Sequence, residues 1–127
     1  MQKVNLYQYA VIRLVPKVER EEFFNIGLIM SSTKAKYIRA QFYLCPEKFR
    51  LMGSELDYDE VLENLNNFMQ IAKGDKAGGP LALLEPVERF HWLTAVRSSV
   101  IQISPVHPGK TKDLDATFER LLEELVK

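Results

Sequence analysis

The residues best equipped for recognition chemistry lie in one stretch of the chain. Between Arg89 and Gly109 stand the only tryptophan, both histidines, two arginines and three serines, around the apolar run Val100-Ile101-Gln102-Ile103. A guanidinium group offers a rigid fork of donors that matches phosphate and carboxylate oxygens. Histidine changes charge near neutral pH and can serve in recognition, as a hydrogen-bonded structural group or as an acid/base. A second polar set, Arg13, Arg20, Glu22 and Asn25, precedes Gly27. If Arg13 and Arg97 converge, then Arg13, Arg20, Arg97, Ser98 and His107 form one neutral to locally basic contact face, with Glu22 and Asn25 setting its shape. Such a face suits an acidic small ligand or a protein partner. The plainer reading keeps Glu22 as an ion-pair partner and Asn25 as a turn cap that fixes strand register.

Five residues read as supports for that face. Gly27 admits close approach of a neighbouring backbone or bulky group, and Gly109 frees the backbone beside His107 in a turn flanked by Pro105 and Pro108. Arg89, Trp92 and Ser104 complete the set, with Trp92 expected to anchor the segment from Arg89 to Arg97 against the core. Phe90 and Trp92 have the surfaces to stack on nucleic-acid bases. A small domain, however, needs its large aromatics to fill core volume, and core packing is the expectation.

The standard catalytic spacings are not met. No Gly-x-Ser-x-Gly elbow surrounds Ser98, Ser99 or Ser104. His91 and His107, even with Asp113 and Asp115, do not make a compact metal motif. Gly74-Asp75-Lys76-Ala77-Gly78-Gly79 lacks the Gly-Lys-Ser/Thr ending of a phosphate-binding loop, and reads as a flexible exposed connector or lid. No catalytic residue, metal or cofactor is therefore assigned.

The elements that must position these groups follow from periodicity. The stretch from Tyr7 to Val15 is rich in β-branched and aromatic residues and reads as a strand. Phe23, Phe24, Ile26, Leu28, Ile29 and Met30 supply a second, paired as a hairpin. From Lys36 to Leu44 the chain alternates: Tyr37, Arg39, Gln41 and Tyr43 on one face, Ile38, Ala40, Phe42 and Leu44 on the buried one. Pro46 opens a short helix through Met52. Asp57 and Glu60 have capping-box spacing before Val61, Leu62, Leu65, Phe68 and Met69, which predicts a helix over 58–72. Pro86 starts another short helix through Trp92, a strand covers Ser98 to Ser104, and Leu114, Phe118, Leu121, Leu122 and Leu125 form the stripe of a terminal helix over 113–126. The sum is an α+β fold, a predominantly antiparallel sheet packed against two principal helices.

A chain of 127 residues suits one core, and hence a single domain over 1–127. Seventeen basic and seventeen acidic side chains cancel, which removes the long-range positive field that suits a dedicated nucleic-acid binder. No run approaches about 18 continuous apolar residues, so no membrane span is expected. Cys45 is the only cysteine. It fits a reducing, cytoplasmic setting and is expected as a buried structural thiol.

The chain resembles the bacterial family called domain of unknown function 3037. The resemblance is carried by Tyr9-Ala10-Val11-Ile12-Arg13, Arg20-Glu21-Glu22-Phe23-Phe24-Asn25-Ile26-Gly27, Arg89-Phe90-His91-Trp92-Leu93-Thr94, Arg97-Ser98 and Ser104-Pro105-Val106-His107-Pro108-Gly109. Pro108 departs from the small or polar residue of some relatives. The resemblance implies no established activity, but it implies a protein partner, with a HipA-like kinase as one such partner. Two functional expectations stand. One is a non-enzymatic interaction or accessory domain; the other is a nucleotide- or nucleic-acid-processing enzyme working through the Arg/Ser/His face.

Overall fold

The computed structural model describes residues 3–15, 23–51, 56–95 and 100–127. Strand β1 (Asn5–Leu14) lies at the centre, β2 (Phe24–Ser32) pairs antiparallel with it, and β3 (Tyr37–Phe42) pairs antiparallel with β2. On the other side of β1 run two short strands, β4 (Ile101–Ile103) and β5 (His107–Thr111), both antiparallel to it. Helix α1 (Pro46–Leu51) follows β3. Helices α2 (Tyr58–Lys73) and α3 (Pro86–Thr94) fall between α1 and β4, and α4 (Leu114–Leu125) closes the chain. The architecture is α+β, a mixed-length antiparallel sheet packed against helices.

Both faces of the sheet are covered, because side chains alternate along a strand and both sets are apolar here. Ala10, Ile12 and Leu14 of β1 join Ile29, Leu65, Phe68, Phe90 and Leu93 in one cluster under α2 and α3. Tyr7 and Val11 join Leu28, Met30, Phe118, Leu121 and Leu122 in a second cluster under α4. In β3 the expected alternation holds: Ile38, Ala40 and Phe42 pack on the first cluster and Tyr37 on the second. Helix α2 begins at Asp57, whose carboxylate accepts from the Asp59 amide at 2.9 Å. Helix α4 begins at Asp113, which accepts from the Ala116 amide at 3.0 Å. Each cap satisfies an amide that the helix leaves unpaired.

Two irregularities shape β1's neighbours. Ile12 faces Gly27 but Arg13 faces Asn25, so Ile26 is an extra residue bulged from β2. Ile12 faces Ile103 and Tyr9 faces His107, so β4 and β5 run as a single edge with one extra residue between them. Ser104 splices that edge. Its amide donates to the Val11 carbonyl at 2.9 Å and its hydroxyl oxygen accepts from the Val11 amide at 2.8 Å.

Several expectations are corrected. The segment expected as a flexible exposed connector or lid lies largely at the surface, but it is wound into two short 3-10 turns, Lys76–Gly78 and Pro80–Leu83, the first capped by Asp75 accepting from the Ala77 amide. His107 begins a strand instead of sitting in a turn. The strand expected from Ser98 covers Ile101–Ile103, with residues 98–99 outside the described ones. Met52, expected at the end of α1, also lies outside them. Cys45 is exposed, because it falls after β3 has left the sheet. Among the described residues no helix is long and apolar enough to cross a membrane.

Candidate functional site

Arg13 and Asn25 are cross-strand neighbours on the face that carries α4. The Asn25 amide nitrogen Nδ2 donates to the Leu125 carbonyl at 3.1 Å, which satisfies an acceptor that the end of α4 would leave open. Asn25 thus docks the helix end to the sheet. The Arg13 guanidinium lies over the Phe23 ring, Cζ 4.2 Å from its centroid, a cation–π contact that holds the fork in place. Its Nε is buried without a hydrogen-bond partner.

Around this end of the sheet are large apolar groups that the core does not absorb. Phe23 is 49% exposed, Phe24 40% and Tyr43 41%. A groove of about 660 Å³ runs beside them, lined by Phe24, Asn25, Tyr43, Cys45, Lys48 and Lys127 among others. The Lys127 ammonium sits 4.7 Å from the centre of the Tyr43 ring. These aromatics were not among the expected contact residues. Their signal was available: adjacent Phe23 and Phe24 cannot both face one side of a strand.

His107 belongs elsewhere on the same face. It pairs with Tyr9, the two rings 5.3 Å apart, and Tyr9 continues to Tyr7 at 6.2 Å. The phenol end of Tyr7 lies against Gly109, where a Cβ would stand 2.3 Å from the phenol oxygen. Gly109 therefore serves close approach, and its backbone is not in the left-handed region, contrary to the expected reason for glycine there. Tyr9 and Arg13 are four residues apart on β1, about 13 Å at the strand rise. Arg13 and His107 share a sheet face but stand four residues apart along β1.

Arg20, Glu22, Arg97 and Ser98 lie outside the described residues. The residues that border their segments do meet: the Val15 amide donates to the Val100 carbonyl at 2.7 Å, beside Arg13.

The expected supports divide. Gly27 sits where a Cβ would be 2.8 Å from the Gln41 carbonyl oxygen and 3.0 Å from Ile12. Arg89 Nη1 donates to the Leu84 carbonyl at 3.0 Å and the Ala82 carbonyl at 3.5 Å, tying α3 to the preceding turn. Ser104 is the splice described above. Trp92 is corrected: it is 57% exposed, and Phe90 at 1% is the aromatic of α3 that enters the core.

On the β3 side, Tyr37 donates to Asp115 Oδ1 at 2.8 Å. Arg39 donates to Asp115 at 3.1 Å and also pairs with Glu119. The Arg39 guanidinium lies over the Phe118 ring at 4.4 Å. Burial, reinforced by the Asp115 carboxylate, pushes the Tyr37 phenol well above its usual value. This network joins β3 to α4 and is structural in character. Among the described residues no three histidine, cysteine or acidic side chains gather as a metal site.

Comparison with known proteins returns one relationship. No curated protein and no solved structure matches the chain. Residues 9–126 match the family described as "Protein of unknown function (DUF3037)", and the chain belongs to that family.

Proposed function

We propose that this chain is a non-enzymatic interaction domain that docks a protein partner through the end of the sheet where Arg13, Phe23, Phe24 and Tyr43 stand. The observation that supports the reading is an arginine stacked on the exposed Phe23, next to a groove lined by the exposed Phe24 and Tyr43. Aromatic and arginine side chains dominate interface energetics when a partner excludes water from them. A side chain ordered before binding loses less entropy on contact. Lys48 and Lys127 along the adjoining groove favour a partner that presents acidic groups. A HipA-like kinase is the first partner to try, as the sequence resemblance implies.

The test begins with a native pull-down, followed by titration of the captured protein against purified wild type, Arg13→Ala, Phe23→Ala and the Arg97→Ala and His107→Ala variants. Circular dichroism verifies that each is folded. Arg13→Ala and Phe23→Ala should each weaken binding about tenfold or more, the range of an interface anchor. Absence of any specific partner, or unchanged affinity in both folded variants, would overturn the assignment. His107→Ala should leave affinity unchanged, since His107 stands away from this end of the sheet.

A further inference from the structure

The two edges of the sheet are built differently. At the β4/β5 edge, Pro108 removes a backbone donor, Lys110 adds a charge and an extra residue breaks the ladder. All three are devices that stop another strand from adding to an edge. The β3 edge has neither the proline nor the extra residue. Tyr37-Ile38-Arg39-Ala40-Gln41-Phe42 contains no proline, glycine or bulge, and its one charge, Arg39, is drawn back to Asp115 and Glu119.

Hydrogen-bond phase shows which groups the edge offers. The Tyr43 amide donates to the Ile26 carbonyl at 2.6 Å, so odd-numbered residues of this segment direct their peptide groups toward β2. Antiparallel ladders alternate, and Ile38, Ala40 and Phe42 therefore turn N–H and C=O outward. Among the described residues no strand lies beyond β3.

We propose that β3 pairs antiparallel with β3 of a second copy of this chain, centred on Ala40, to make one sheet across two protomers. The strand is self-complementary in that register. Ala40 meets Ala40 and Ile38 meets Phe42 on the face already packed against the α2 and α3 cluster. On the other face Arg39 meets Gln41, and Tyr37 meets Tyr43. A register centred on Arg39 also draws on the outward Ile38 and Ala40 groups, but it sets two guanidinium groups opposite each other. A twofold pairing closes after two copies and leaves no growing edge, since the outer edges are the protected ones.

Light scattering on the eluting chain, together with amide exchange by NMR at dilute and about millimolar concentration, tests this. The expected result is a concentration-dependent dimer in which the Ile38, Ala40 and Phe42 amides gain protection while those of Arg39 and Gln41 are protected throughout. Gln41→Glu, opposite Arg39, should tighten the dimer and Gln41→Arg should loosen it, each by about tenfold over the two symmetry-related pairs. A chain that stays monomeric, or a dimer in which those three amides still exchange freely, overturns the proposal. So do Gln41 variants that shift the equilibrium in the same direction. An extended segment of another protein taking this edge while the chain alone remains monomeric is likewise a negative result. Should Gln41→Arg not fold, amide exchange on the native chain decides.

Discussion

Trp92 and Phe90 stand two residues apart on α3, which rotates them to different sides of the helix. Phe90 and Leu93, three apart, share the buried side, and Trp92 faces water. Phe90→Ala should therefore lower stability by about 3–5 kcal/mol. Trp92→Ala should change it by no more than about 0.5 kcal/mol. Urea unfolding of both variants checks this, and equal losses would contradict the placement. The sequence pointed to Trp92 through residue type alone, while the three-residue spacing of Phe90 and Leu93 held the better signal. The same distinction applies at Gly109. Its position beside two prolines suggested backbone freedom, whereas the Tyr7 ring pressed against it depends on a cross-strand register that no local pattern contains.

At the level of elements, α2 and α4 were legible nearly to the residue, because each has a carboxylate cap and a long apolar stripe. The alternation of β3 was legible for the same reason. The β4/β5 edge was not, since its extra residue interrupts the period of two on which strand recognition rests. Nor was the separation of Arg13 from His107, which follows from pairing along β1. The contact between β3 and α4 has a consequence for pH. A phenol whose folded value is raised favours the protonated form in the fold. Tyr37 thus contributes stability that is intact below its ordinary value of 10.0 and is lost as pH rises above it. Wild-type stability should fall progressively as pH is raised above about 10, and Tyr37→Phe should fall less steeply over that window. Parallel slopes in chemical denaturation would show that Tyr37 is not the group responsible.

Across the whole molecule, one sheet separates two apolar clusters, and β1 and β2 contribute to both. A loss on either side is therefore felt on the other. Leu122→Ala, which opens a cavity beneath α4, should destabilise the domain by about 2–5 kcal/mol. The unfolding transitions of α3 and α4, followed separately through their amide resonances, should move together. If α4 melts first and leaves α3 intact, the two layers are independent.

The extra residue between Ile103 and His107 sets a parity. Ile101 and Ile103 carry odd numbers and sit against Leu14 and Ile12, on the layer of α2 and α3. His107 and Gly109 also carry odd numbers, yet they sit against Tyr9 and Tyr7, on the layer of α4. One strand path thus changes sides halfway along, giving isoleucines to one layer and a histidine beside a tyrosine row to the other. The spacing of Ser104-Pro105-Val106 is therefore a coded length: three residues here, and neither two nor four, decide which layer every later side chain of the edge belongs to.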